Sequence, residues 1–500
     1  MNITGAQPVC RVDAIRAIEA AVSSGPDAPN LMERAGLAAA QLARERLLEG
    51  KREVLVIAGP GNNGGDGFVV ARHLQQWWYR VRVLFTGDAS HLSADAKAAY
   101  AAWVSPGNRV LMEPPGTPVD LIVDALFGIG LTRAVEGRAG QLVDWMNAQT
   151  APILALDVPS GLDADTGRTL GRTVRAGHTA TFIALKPGLI TLDGPDYCGE
   201  VHVCDLGLDA RSMHAQCGWV IGHDEIARLL PRRARNTHKG TYGSLGIIGG
   251  AAGMTGAALL AGRAALHLGT GRTYLGLLDA HELRIDPVQP ELMLRECDDV
   301  VELAHLNTLV VGPGLGQSPP ARAAVARALE RNLPLVLDAD ALNLIGAHDA
   351  LQDVCRARTA PTLMTPHPAE AARLLRTAVS DVQQDRVESA REIARHYRAA
   401  VALKGVGTVV AFPDSRWHIN TSGNPGLASA GMGDVLSGIL GAFLAQGADL
   451  RSALLAAVHL HGLAADATAE HLGGEIGLTA SEVTLQARRL LNRAIYVDES

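Results

Sequence analysis

The chain has 500 residues, 47% of them hydrophobic and 19% charged, with a formal net charge of −7. Domains usually hold about 100–200 residues, so this length predicts two or three folded units and excludes a small stapled scaffold. The composition is that of a folded protein, and the mild acidic balance argues against a nucleic-acid-binding face, leaving small molecules as the expected partners.

Six cysteines, Cys10, Cys198, Cys204, Cys217, Cys297 and Cys355, show no C-x-x-C pairing. They are expected to be scattered small hydrophobes in a reducing cytoplasm. The N-terminal stretch MNITGAQPVCRVDAIRA lacks the apolar core of an export signal. The low-charge stretch Val435 to Ala448 falls short of the roughly 18 apolar residues of a spanning helix, so no membrane partner is expected. The 54 glycines against six phenylalanines point to backbone brought close to ligands, phosphates foremost.

In chain order, apolar runs begin at Val54 (VLVIAG), Val81 (VRVLFTG), Val119 (VDLIVDALFG), Pro152 (PILALDVP), Thr179 (TATFIAL) and Val201 (VHVCDLG). Each is followed by a glycine-rich or polar turn and a helical stretch, the pattern of a parallel sheet buried on both faces. The alternation degrades between Asp209 and Leu230, which places a boundary near residue 220. From Ser244 a second series follows: SLGIIGG, TYLGLL, TLVVGPG, LPLVLDADAL, TLMTPH, AVALKG and GTVVAF. The two series share architecture without a fixed-period repeat, so two different α/β units and two sites are expected.

In the first unit, GPGNNGGDG (Gly59 to Gly67) lies between the VLVIA strand and the helical FVVARHLQQW. Read as a glycine turn before a helix start, it suits an anion, although it lacks the G-x-G-x-x-G spacing of a dinucleotide fingerprint. Asp124 and Asp157 sit at expected strand ends, where open α/β sheets bind ligands. Either acid could instead be a helix cap or a loop-orienting group. With Asn63 and Ser160 they make a set of hard oxygen donors suited to a cation of low charge.

NNGGDG, VDALFGIG and DVPSGLDADTG together resemble the NAD(P)H-hydrate epimerase domain. The resemblance covers nearly all of the first 210 residues and implies a Rossmann-like, three-layer αβα domain over about residues 1–215. It implies that Asn62, Asn63, Gly64, Gly65, Asp66, Gly128, Ile129, Gly130, Leu131, Thr132, Arg133, Ala134 and Asp157 line the hydrate site. It further implies that Asn63, Asp124 and Ser160 hold K+ and that Asp157 is the acid/base, protonating a departing C6 oxygen and then activating water. Lys186 is either a holder of a polar edge or a surface lysine. Arg34 stands where the family more often has Asn.

In the second unit, NPGLASAGMGDVLSG predicts a glycine-bounded turn opening an apolar helix, an anion hole with Asp434 in its first turn. Asp434 is either a favourable N-terminal charge or a base that deprotonates an acceptor hydroxyl. KGVGT, running Lys404, Gly405, Val406, Gly407 and Thr408, lies between two strands and suits nucleotide phosphates. His367 in TPHPAE is a substrate contact or a capping histidine. Asp338, Asp340 and Asn343 in DADALN are candidates for metal-water or ribose contacts.

HKG, GGAAGMTGAA, GPGLG, DADALN, TPHP, KGVGT and NPGLASAGMGDVLSG in this order look like the ribokinase-like, ADP- or ATP-dependent NAD(P)H-hydrate dehydratase. The resemblance implies a second αβα domain over about residues 223–500. Ala257, Gly314, His367 and Asp434 would contact the hydrate, and Lys404 to Thr408 with Gly433 the nucleotide. Ala369 and Ala430 replace glycines common in the family. The implied whole is a cytoplasmic, bifunctional repair enzyme for NADHX and NADPHX that uses ADP or ATP, Mg2+ and K+, with self-association an analogy of fold only. Two alternatives stay open: a vitamin- or alcohol-directed kinase in the second unit, and a non-catalytic binding module in the first.

Overall fold

A computed structural model describes residues 5–24, 28–213, 216–279 and 283–497. The first four residues of the stretch examined for an export signal, and His214 and Ala215 in the boundary segment, lie outside the described residues. The chain divides into two compact units, one essentially Gln7–Trp219 and the other essentially Val220–Ser500.

The first unit is built on seven parallel strands: β1 Glu53–Ala58, β2 Arg80–Phe85, β3 Val110–Leu111, β4 Leu121–Ala125, β5 Ile153–Leu156, β6 His178–Phe182 and β7 Glu200–Cys204. Their order is β3-β2-β1-β4-β5-β6-β7. Side chains alternate across the sheet, so Val54, Val56 and Ala58 enter one core with Phe68, Val70 and Leu74 of the helix Asn62–Gln76. Leu55 and Ile57 enter the other with Leu142, Val143 and Met146 of the helix Gly137–Asn147. All six expected runs are strands of this sheet. The short Val110–Leu111, whose apolar run is only Val110 to Met112, was not expected.

The second unit contains β8 Ser244–Gly249, β9 Arg272–Leu277, β10 Met293–Glu296, β11 Thr308–Val311, β12 Leu335–Leu337, β13 Thr362–Met364, β14 Ala400–Leu403, β15 Thr408–Ala411 and β16 Trp417–Asn420. Their order is β16-β15-β14-β13-β12-β11-β8-β9-β10. From β10 to β14 neighbours run parallel, and β15 and β16 add antiparallel strands. The helices Thr255–His267 and Met432–Ala445 approach so closely that a Cβ on Gly438 would lie 2.1 Å from the Ala261 carbonyl oxygen. In each sheet the chain grows outward from one strand and then resumes on its other side, at β1/β4 and at β8/β11. A crevice opens at the carboxyl ends of such strands.

Two expectations are corrected. The run Asn62 to Gly67 is not a turn before a helix: the helix already begins at Asn62. Its glycines serve close packing, since a Cβ on Gly64 would stand 2.0 Å from the Gly59 carbonyl oxygen and one on Gly67 2.7 Å from the Ala125 Cβ. The cysteines are not all isolated either, because Cys10 and Cys217 form a disulfide. The strand Pro8–Val9 pairs antiparallel with Gly218–Val220, Val9 opposite Gly218, bringing together cysteines 207 residues apart in sequence. Among the described residues no helix is long and apolar enough to cross a membrane.

Gly64→Ala is expected to destabilise the first unit by about 1–3 kcal/mol, because backbone cannot yield as a side chain can. A lowered urea midpoint checks this.

Candidate functional sites at two sheet edges

In the first unit the carboxyl ends of β4, β5 and β6 gather the expected acids. Asp157 follows β5 with φ 67, a left-handed conformation that Asp tolerates better than most residues. Its Oδ1 accepts from Lys186 Nζ at 2.7 Å, and its Oδ2 accepts from the Ile129 N–H at 3.0 Å. Lys186 is fully buried, so it is not a surface lysine; its remaining donors reach Thr181 Oγ1 at 2.9 Å and the Phe182 carbonyl at 2.7 Å. Lys186 thus fixes Asp157, and Asp157 fixes the start of the loop Gly128 to Ala134.

Asp124, also fully buried, accepts from Ser160 Oγ at 2.7 Å, the Ser160 N–H at 2.8 Å and the Leu126 N–H at 3.2 Å. Burial pushes its carboxyl up to about 6 against the pull of these bonds. Asn63 is buried with neither amide atom partnered. A Cβ on Gly128 would lie 2.9 Å from Asp157 Oδ2 and 3.3 Å from Asn63 Cγ, so this glycine keeps the space between them narrow but open. The Asp66 carboxyl is held well above its ordinary range by burial, then by Asp157 and Glu19. Glu19 is raised by burial and Asp157 against Lys186 and Arg16. Asn62 is exposed and accepts from Ser93 Oγ, Gly65 packs on Met32 and Ala96, and Gly130, Thr132, Arg133 and Ala134 are exposed while Leu131 is partly covered.

In the second unit, Asp338, His367, Glu370, Lys404, Gly405, Gly433 and Asp434 line a cavity of about 400 Å3. Lys404 Nζ, just after β14, donates to Asp338 Oδ1 at 2.7 Å and lies 4.0 Å from Glu370. Asp338 is buried and also accepts from Ser437 Oγ at 2.7 Å. Burial works against the Lys404 charge, but Asp338 and Glu370 more than offset it and raise its pKa. Asp434 is pushed up to about 6 by burial, then by Asp338, with Lys404 opposing. Glu370 is pushed up to about 7 chiefly by burial. No side chain caps the Met432–Ala445 helix, and its first turn faces the cavity, with Gly431 supplying φ 87 at the cap. An anion fits there.

His367 is a capping residue: its Nδ1 accepts from the N–H groups of Ala369 and Glu370, while Glu370 accepts from the His367 N–H. Nδ1 therefore carries no proton, and Nε2 lies 3.2 Å from Glu370 Oε1. Asp340 accepts from the Gly316 N–H and Asn343 from Arg373, tying DADALN to GPGLG and to the helix Pro368–Leu375. Ala257 and Gly314 meet each other at the β8/β11 loops, a Cβ on Gly314 lying 3.0 Å from that of Ala257, but neither lines the cavity. Val406 is exposed, and the Thr408 hydroxyl donates to the Gly405 carbonyl.

Sequence reasoning missed Glu19, Glu370, Ser437 and Arg386. Glu370 and Ser437 stood inside quoted motifs, in H-P-x-E capping spacing and one helical turn after Asp434 respectively. Glu19 and Arg386 had no local signal. Arg386 is buried beneath the KGVGT loop and donates to the carbonyls of Leu403 and Lys404, both at 3.1 Å.

Two α/β units, each with buried carboxylates gathered round a lysine at the carboxyl edge of a parallel sheet, define a fused, two-site enzyme for small molecules. The family model described as YjeF-related protein N-terminus matches residues 28–188, and the one described as NAD(P)H-hydrate dehydratase matches residues 245–486. Among curated relatives, the bifunctional NAD(P)H-hydrate repair enzyme of Coxiella burnetii is 39% identical, covering 94% of this chain and 96% of its own. That of Escherichia coli is 38% identical over 95% and 92% respectively. A solved ADP/ATP-dependent NAD(P)H-hydrate dehydratase from Bacillus subtilis, co-crystallised with ATP/Mg2+, is 32% identical and covers 55% of this chain and 98% of its own, with a TM-score of 0.49. The chain belongs to the family of bifunctional NAD(P)H-hydrate repair enzymes.

Lys186→Met should cost about 3–5 kcal/mol by stranding a buried carboxylate, and adding Asp157→Asn should restore part of that loss. Urea unfolding of the single and double variants measures it. A carboxyl raised in the folded state binds a proton that the unfolded chain has released. Its stabilising contribution is therefore full below the ordinary carboxylate range and lost as pH rises through the folded value. For Glu370 that window ends near 7, so Glu370→Gln should flatten the decline in the second unit's urea midpoint between the ordinary glutamate range and neutrality.

Proposed function

We propose that this chain interconverts the C6 epimers of hydrated NADH and NADPH in its first unit, residues 1–215, and dehydrates the S epimer in its second, residues 223–500. The observation that carries the reading is the recurrence at both sheet edges of a buried acid centre beside a feature suited to a ligand. These features are the unpartnered Asn63 amide in one unit and the uncapped helix start with Asp434 in the other.

In the epimerase unit the C6–O bond breaks as the ring nitrogen's electron pair forms an iminium, and the departing oxygen takes a proton from Asp157 and the acids coupled to it. Water then adds to the opposite face and returns that proton. Asn63, Asp124 and Ser160 would hold K+, which supplies positive charge against the substrate's oxygens when bound. The fit rests on Asn63 Oδ1, buried with no partner, and on a donor set of low charge.

In the dehydratase unit, Asp434 takes the proton of the C6 hydroxyl as that oxygen attacks the terminal phosphorus of ADP or ATP, and AMP or ADP leaves. The C6–O bond then breaks, pushed by the ring nitrogen, phosphate departs, and loss of the C5 proton restores the reduced ring. Gly433 and the helix start receive the phosphoryl group, Lys404 to Thr408 the nucleotide, and Ala257, Gly314 and His367 the hydrate. Mg2+ would accompany the nucleotide near Asp338 and Asp340. The cytoplasm is the compartment this reading assigns, and the Cys10–Cys217 disulfide runs against it.

With both NADHX epimers, nucleotide, Mg2+ and K+, reduced-nicotinamide absorbance should recover beyond the S fraction faster than spontaneous epimer exchange. Asp434→Ala should lower nucleotide-dependent recovery by about 10²–10⁴ and leave epimer exchange intact, while Asp157→Ala should do the reverse. Because Asp434 acts ionised, dehydration should rise with pH through about 6. A stable phosphorylated product would instead mark a kinase, and recovery that stops at the S fraction would mark the first unit as a binding module.

A further inference from the structure

At the opposite, amino-terminal edge of the first sheet stands a group of side chains that neither reaction uses. His178 opens β6, and Glu200 and His202 lie two residues apart on β7. The parallel register sets His178 beside Glu200 and Ala180 beside His202. Side chains alternate along a strand, so all three project from the same face. His178 Nδ1 and His202 Nε2 face each other at 3.2 Å. Glu200 Oε2 lies 3.7 Å from the first nitrogen and Oε1 4.0 Å from the second. The imidazoles are mostly covered, at 24% and 16% side-chain exposure, and Glu200 is 40% exposed.

We propose that His178, Glu200 and His202 bind a divalent first-row transition metal, zinc foremost, with a fourth position left to solvent. Two imidazole nitrogens on one tetrahedral zinc, each about 2.0–2.1 Å from it, stand about 3.3 Å apart, close to the spacing found. One ligand atom from each of the three residues falls within 4.8 Å of the others, and theirs is the grouping of this kind found among the described residues. Two imidazoles with a carboxylate suit zinc, copper or nickel and not Mg2+ or K+, which separates this site from the oxygen-lined one at the other edge. A bound ion ties edge strand β7 to β6, and since the folded form alone assembles the three ligands, binding stabilises the fold.

The test uses the full chain, stripped of metal by a chelator and titrated with Zn2+ by calorimetry, with Co2+ as a spectroscopic probe. The expected result is one saturable equivalent, a raised unfolding midpoint for the first unit and the absorption of tetrahedral Co2+. Saturable binding should be lost in His178→Ala and His202→Ala and kept in Cys204→Ser, whose sulfur lies farther along β7. If either histidine variant fails to fold, Glu200→Gln serves in its place and should bind more weakly. An unchanged midpoint and no saturable uptake by the wild-type chain, or equal uptake by folded ligand variants, overturns the proposal. Epimer exchange should continue in these variants, so failure of this site and failure of the epimerase reading are separable.

Discussion

Both units depend on matching a lysine ammonium with oxygen acceptors at the carboxyl end of a parallel sheet, Lys186 fully buried and Lys404 partly exposed to its cavity. Lys186 is matched by Asp157, Thr181 and the Phe182 carbonyl, and Lys404 by Asp338, which Ser437 engages in turn. An ammonium without such partners would cost several kcal/mol, so the surrounding strand ends and loops are constrained to keep these oxygens in place. The loops that border each crevice inherit that constraint. Ile129 is held by Asp157, and the DADALN and GPGLG segments by Asp340.

Once the lysines are matched, the remaining polar groups stand out by what they lack. Asn63 has no partner for either amide atom, and Asp434 faces a cavity beside an uncapped helix start. Buried polar groups are nearly always paired, and Asn63 is among the few here that are not. Asp124 is the contrasting case, amply hydrogen-bonded yet raised toward neutrality by burial, while Glu370 is raised by burial and by Asp338 against the pull of Lys404. The units reach this arrangement with different elements, a glycine-packed helix after β1 in one and a helix opened by Gly431 in the other.

The two edges of the first sheet differ in chemistry. The carboxyl edge collects oxygen donors because strand ends, helix starts and exposed N–H groups favour anions and hard oxygens there. The amino edge carries two imidazoles set diagonally across β6 and β7, with Glu200 opposite His178, a softer donor set. One sheet thus presents two chemically different edges, separated by the length of its strands.

The sequence by itself determined the class of fold, since continuous apolar runs between helical stretches are local and strong. It also marked Asp124, Asp157, Lys404 and Asp434, because strand-end acids and glycine-bounded helix starts are written in adjacent residues. It misread the Asn62 to Gly67 run as a turn, because glycine used for close packing and glycine used for a positive φ look the same in a sequence. Only the tertiary structure decided that Lys186 is buried, that Glu19 faces Asp157, that Arg386 underlies the KGVGT loop and that Cys10 meets Cys217. The reason is physical: desolvation and long-range pairing depend on which distant strands become neighbours, and no short window of sequence contains that information.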